Sequence, residues 1–157
     1  GTTVVFVTHD QGEALTLSDR IALMNAGRIC QLDAPGALYD RPASRFVADF
    51  IGRTNLVPVD DGAHAAALGL ERVADGVVAL SLRPEKLTRA PGPSDRGFDA
   101  VVQDVAFRGA TLELRLRAAS GLVLRLSEPR AGALPPPALG ETIRIGFAQE
   151  DATPLYE

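Results

Sequence analysis

The apolar and polar residues of this chain change period several times, and each change marks an element. Val4-Val5-Phe6-Val7 is an unbroken apolar run that passes directly into Thr8-His9-Asp10-Gln11. Rich in β-branched residues, it predicts a strand buried on both faces that delivers polar groups at its C-terminal end. From Gln11 to Arg20, Ala14, Leu15 and Leu17 stand among polar residues; Asp10 is placed to cap, and Glu13 follows three residues later as in a capping box. A short helix with one buried side is expected. Ile21 to Met24 and Arg28 to Leu32 flank the turn residues Asn25-Ala26-Gly27, which predicts a tight antiparallel hairpin at a sheet edge. Pro35 suits a first helical position, Pro42 interrupts, and Phe46, Val47, Phe50 and Ile51 form an apolar stripe that ends at Gly52. Two short helices are expected there.

Past residue 53 the helical period gives way to alternation. Asp60-Asp61-Gly62 is a turn, and the Ala-rich stretch 63–72 fits a short helix, a hairpin arm or an irregular segment equally. Gly76 to Leu82 reads as a strand running into Arg83-Pro84-Glu85, and residues 90–95 as a flexible or extended loop. From Phe98 onward Val101, Gln103, Val105 and Phe107 share one face. After a break at Arg108-Gly109, Leu112, Leu114 and Leu116 point inward with Glu113, Arg115 and Arg117 outward; Leu122, Leu124 and Leu126 repeat the pattern, and Ile143, Ile145 and Phe147 add a strand. About five strands joined by short turns suggest a small closed or partly open barrel. Pro135-Pro136-Pro137 reads as a stiff surface connection.

Composition narrows the function. A net charge of −4 and 5% aromatic residues with no Trp leave neither a basic footprint nor stacking platforms for nucleic acid, so binding of single strands by a barrel is disfavoured. Cys30 is the single cysteine and cannot form an intrachain disulfide; with no signal-like or membrane-spanning run, the cytoplasm is the expected compartment. Read alone, His9 is most simply a hydrogen-bonded histidine at a strand end. A metal site of His9, Asp10 and Glu13 is disfavoured, because no second histidine lies nearby and capping explains both carboxylates better. Arg83 and Glu85 read as solvated charges that fix a strand end. The arginines at 115, 117, 125 and 144 read as a solvated outer sheet face rather than a basic binding surface.

Taken together, Val7-Thr8-His9-Asp10-Gln11, Glu13-Ala14-Leu15, Ser18-Asp19-Arg20-Ile21-Ala22, Gly27-Arg28-Ile29, Leu38-Tyr39-Asp40-Arg41-Pro42, Phe46-Val47-Ala48 and Phe50-Ile51-Gly52 resemble the C-terminal end of an ABC importer ATP-binding subunit. The group it resembles serves sugars, polyamines, ferric iron and similar solutes. Asn55-Leu56 and Arg83-Pro84-Glu85 are similar to the appended TOBE domain of that group. At Asp33 and Ala37 the chain departs from the family, which usually has a glycine and an acidic residue there.

The resemblance implies a mainly β fold: an OB-like (TOBE) β-barrel domain over residues 54–157, serving regulation and dimerisation, preceded by a small α/β remnant of a nucleotide-binding domain over 1–53. It implies that His9 is the switch histidine, catalytic and in contact with the γ-phosphate of ATP in the intact subunit, with no metal ligand in this chain. ATP and Mg²⁺ are the cofactors of the intact subunit. None is expected for this chain alone, which has no G-x-x-x-x-G-K-S/T loop, no acidic residue ending a preceding strand and no signature motif, and so should not hydrolyse ATP. The implied partners are a second copy, membrane-spanning permease subunits, and a regulator or small anion at the β domain, with no nucleic acid. The implied location is the inner face of the cell membrane. The alternative is a free-standing TOBE module that binds a small anion or a regulator.

Overall fold

The computed structural model describes residues 1–60, 62–70, 72–131 and 134–156. Val4 to Val7 is extended but forms no strand, and Val7 is 98% exposed. The strand expected here does not form among the described residues: a strand exists only through a ladder with a neighbour, and no described residue pairs with this run. Helix α1 (Gln11–Leu17) follows, capped by Asp10, whose Oδ1 accepts from the Glu13 amide at 2.9 Å. Glu13 does not reach back to Asp10 as a capping box would; its Oε2 accepts from the Thr8 hydroxyl at 2.9 Å, and Thr8 Oγ1 accepts from the Asp10 amide at 3.0 Å.

Strands β1 (Ile21–Asn25) and β2 (Arg28–Asp33) form the expected hairpin. Ala26 and Gly27 both have positive φ, 47° and 77°, as a two-residue turn of this hand requires. Among the described residues the hairpin is a two-stranded sheet by itself rather than the edge of a larger one. Two short helices come next, α2 (Pro35–Asp40) with Pro35 in its first turn and α3 (Arg45–Phe50) capped by Ser44. Leu23, Leu38, Val47 and Ile51 make a small core with Leu15 and Tyr39 packed on it. Phe46 and Phe50 are left outside and stack on each other at 5.7 Å between ring centroids.

The remainder is two sheets around one larger core. Strands β3 (Asn55–Pro58), β4 (Ala79–Leu82) and β9 (Ala152–Leu155) form the first, in the order β3-β4-β9. Strands β5 (Arg96–Arg108), β6 (Thr111–Ala118), β7 (Val123–Pro129) and β8 (Thr142–Phe147) form the second, in the order β7-β6-β5-β8. All described pairings are antiparallel. The fold is mainly β, as expected, with the second sheet curled into a half-barrel. Strands β3 and β9 exceed the expected count. The undecided Ala-rich stretch carries helix α4 (Ala63–Ala67); Asp61 and Glu71 lie outside the described residues.

Leu112, Leu114, Leu116, Leu124 and Leu126 are buried, as their alternation required. In β5 the inward residues are Phe98, Ala100 and Val102, not the set beginning at Val101, which is 40% exposed. A register shift between Val102 and Asp104 changes the face in mid-strand, so a single period cannot describe both halves. The loop at 90–95 folds back on itself: Asp95 Oδ2 accepts from the Gly92 amide at 2.8 Å. Among the described residues no helix is long and apolar enough to cross a membrane.

Two seams join the sheets. On one side the Asn55 side chain pairs with the backbone of Arg125 in β7, its amide nitrogen donating to the carbonyl at 2.8 Å and its oxygen accepting from the N–H at 2.7 Å. On the other, Thr88 and Gly146 exchange backbone hydrogen bonds of 2.9 and 2.8 Å, which ties β8 to the segment that leaves β4.

Candidate functional site

His9 sits at the apex of a turn fastened on both sides. Thr8 and Asp10 hold each other and Glu13 through the three bonds described above, and the backbone between them is thereby fixed. The imidazole itself is exposed and takes no hydrogen bond among the described residues. This corrects the simplest reading of His9 as a bonded strand-end histidine. A ring in this position has both nitrogens available, as acceptor or donor to a group presented from outside. Asp10 and Glu13, by contrast, are engaged in holding the turn.

The other constellation is one that solvated charges at Arg83 and Glu85 did not predict. Arg83, the last residue before the short 3₁₀ turn Pro84–Lys86, is 4% exposed. Its guanidinium donates from Nε and Nη2 to the carbonyl of Tyr39 at 3.2 and 2.8 Å, and from Nη1 to the carbonyls of Ala48 and Arg53, both at 3.1 Å. Tyr39 and Ala48 lie in the last turns of α2 and α3, whose carbonyls have no partner inside a helix. One cation thus closes the C-terminal ends of two helices, where the helix dipole also favours positive charge. The guanidinium carbon stands 4.0 Å from the centroid of the Tyr39 ring, and the Tyr39 hydroxyl donates to Glu85 at 2.5 Å.

Burial dominates the electrostatics of this knot. It lowers the pKa of the Arg83 guanidinium from its ordinary value, against opposing pulls from Tyr39 and Glu85. The Tyr39 phenol is pushed up to about 12, first by burial and then by its hydrogen bond to Glu85. Nothing in hydropathy patterning marks Arg83 as interior; the available signal was the Arg-Pro step immediately after an apolar strand.

Two shallow clefts flank the knot. One, of about 170 Å³, lies between Arg41, Lys86, Asp40 and Asp151, with Lys86 paired to Asp151 at 3.0 Å. The other, of about 240 Å³, is bordered by Arg53, Arg125, Glu85 and Glu113, with Arg53 paired to Glu113 at 2.9 Å. In both, bases are matched by acids. The outer arginines at 115, 117, 125 and 144 are exposed, and Arg144 pairs with Asp99 at 3.2 Å.

Comparison with known proteins bears on both constellations. The TOBE domain family matches residues 80–155, from β4 to β9. A spermidine/putrescine import ATP-binding protein of Pseudomonas aeruginosa is 38% identical over 172 aligned residues, covering 100% of this chain and 46% of the relative. A protein of the same description from Rubrobacter xylanophilus is 40% identical, covering 94% of this chain and 43% of its own length. A sulfate/thiosulfate import ATP-binding protein of Chromobacterium violaceum is 44% identical over 80% of this chain and 37% of its own. The chain thus spans less than half the length of these relatives. The chain combines a TOBE match from β4 to β9 with similarity, along its whole length, to ABC importer ATP-binding subunits.

Proposed function

We propose that this chain is the C-terminal part of the ATP-binding subunit of an ABC importer, which couples ATP hydrolysis to solute uptake. Residues 1–53 complete a nucleotide-binding domain, and residues 54–157 form the TOBE-type, OB-like domain that serves regulation and dimerisation. The observation that carries this reading is Val4 to Val7: a run with the composition of a buried strand lies bare, 44% exposed at Phe6 and far more at its valines, and leads directly to the exposed ring of His9. Such a run is accommodated when flanking strands cover it, and His9 then stands at the strand end where α/β sheets bind their ligands.

In that setting His9 donates a hydrogen bond to the γ-phosphate and stabilises the charge that builds on its oxygens during transfer. Thr8 and Asp10 hold the backbone turn that carries the imidazole. ATP would supply the transferring phosphoryl group and Mg²⁺ would spread its charge; among the described residues the histidine fits a contact to that assembly, and the sequence has no G-x-x-x-x-G-K-S/T loop to cradle phosphate. Alone, the chain has no ATPase activity. The intact subunit pairs with a second copy and with permease subunits at the inner face of the membrane. The balanced charges of both clefts speak against the alternative of a free-standing small-anion module.

The test is to read the coding sequence immediately upstream of Gly1 and to titrate the chain with Mg-ATP by calorimetry. Codons for a phosphate-binding loop and a signature motif upstream, with no binding by the chain alone, are expected. An in-frame stop upstream, or micromolar binding of ATP by the chain, would overturn the reading.

A further inference from the structure

We propose that the β domain is linked to the His9 turn through Arg83, Gly52 and Gln11, and that Gln11 and Arg83 are positioning residues for the histidine. The second half of this statement rests on the reading of His9 given above; the first half stands on geometry alone. Gln11 is the first residue of α1, two positions after His9. Its Oε1 accepts from the Gly52 amide at 3.2 Å, across 41 residues of sequence, an N–H that Gln11 shares with the Phe50 carbonyl at 3.2 Å. Gly52 has a φ of 76°, and a Cβ there would lie 2.9 Å from Tyr39 Cε2 and 3.8 Å from Arg83 Nη1. The backbone at Gly52 is thus seated directly on the Arg83–Tyr39 stack and can lie so close only because it has no side chain.

Every link beyond Gly52 is anchored. Arg83 holds the carbonyls of Ala48 and Arg53 on either side of Gly52, and that of Tyr39 beneath it. Glu85 fixes the Tyr39 hydroxyl from the β domain. On the other side Leu15 of α1 and Tyr39 both pack on the cluster of Leu23, Leu38, Val47 and Ile51, so α1 and the knot share an apolar neighbour as well as the polar contact at Gly52. Contacts of this kind transmit a displacement when their members have discrete arrangements, and a cation buried among carbonyls is such a member: it is bonded or it is lost. A shift of the β domain against α2 and α3 therefore moves Gly52, and through Gln11 the start of α1 and the turn that carries His9.

Amide exchange, followed by NMR at Gly52 and at Ala14 to Leu17, tests the link without nucleotide. Gln11→Ala removes only an exposed acceptor, and exchange at Gly52 and in α1 should rise roughly 2- to 10-fold, the effect of one hydrogen bond. Gln11→Glu, which keeps the oxygen, should restore the wild-type rates. Arg83→Lys should raise α1 exchange as well, and adding Gln11→Ala to it should have little further effect, since both act on one route. If Arg83→Lys fails to fold, Glu85→Ala, at an exposed side chain, serves in its place. Unchanged α1 exchange in the Arg83 or Glu85 variant, strictly additive effects, or no rescue by Gln11→Glu would overturn the linkage. In the longer polypeptide that the functional reading calls for, Gln11→Ala should lower kcat for ATP and leave KM unchanged. Faster exchange with unchanged kcat would keep the linkage and remove His9 from the reaction, so the two failures are distinguishable.

Discussion

Asn55 holds the seam between the two sheets with a single side chain, which makes it a sharp probe of how the β domain is closed. The residue is 6% exposed, and its amide donates to the carbonyl of Arg125 and accepts from its N–H. Asn55→Leu keeps the branched shape and removes both bonds, leaving two backbone groups of β7 without partners inside the seam. Each stranded group costs about 1–3 kcal/mol, so the chain should lose about 2–6 kcal/mol in all. For a chain of this size that corresponds to a fall in Tm of roughly 4–24 °C. Asn55→Asp separates the two bonds: the carboxylate still accepts from the N–H but faces the carbonyl with a second acceptor. At pH 7 it should be destabilised almost as much. Protonation restores a donor, so the folded state raises the pKa of the new carboxyl above its unfolded value. Stability gained from the protonated form is present below the unfolded pKa and lost as pH rises through the folded one. The Asp variant should therefore recover toward wild type between pH 7 and about pH 4, and the Leu variant should not. Urea denaturation across that range reads both. A Leu variant within about 0.5 kcal/mol of wild type, or an Asp variant whose deficit is flat with pH, would refute the seam.

Three further perturbations follow from the same structure. Arg125 turns its N–H and carbonyl toward Asn55, so its pairing with Arg115 across β6 and β7 is of the close, non-hydrogen-bonded kind, with like charges facing; Arg125→Thr should stabilise by roughly 0.2–1 kcal/mol in urea titrations, a gain that shrinks in high salt. Ala26 occupies a left-handed position at a φ of 47°, and Ala26→Asn should raise stability by about 0.5–1 kcal/mol, measured as a shift of the denaturation midpoint at constant slope. Because folding raises the Tyr39 pKa to about 12, its protonated form contributes stability that is full below pH 10 and is lost as pH rises toward 12; alkaline unfolding monitored by circular dichroism should show this step, and Tyr39→Phe should remove it.

Local chemistry made much of the fold legible. Asp10 announced a helix start, Asn25-Ala26-Gly27 a hairpin, Pro35 and Pro42 a pair of helices, and the leucines of β6 and β7 an inward face, because in each case neighbouring residues alone settle the geometry. What escaped depends on distant partners. The valines at 4, 5 and 7 state that they suit a buried strand, but a strand also needs neighbours, which no local pattern supplies. In β5 apolar residues stand on both faces, and the register shift near Gln103 decides which one turns inward. Arg83 and Asn55 are polar residues whose burial follows from the carbonyls they meet far away in sequence, so patterning assigned Arg83 to solvent and left Asn55 unremarked. The turn that presents His9 was half legible: its cap was foreseen, and the part played by Thr8 was not.

The most direct test of the proposed function is ATP turnover by His9→Ala in a polypeptide that joins this chain to the nucleotide-binding half which that function calls for. The account predicts that ATP affinity stays within about threefold while kcat falls by roughly 100- to 1,000-fold, the loss expected for a donor acting on the charge of the transferring group. Turnover equal to wild type would contradict it.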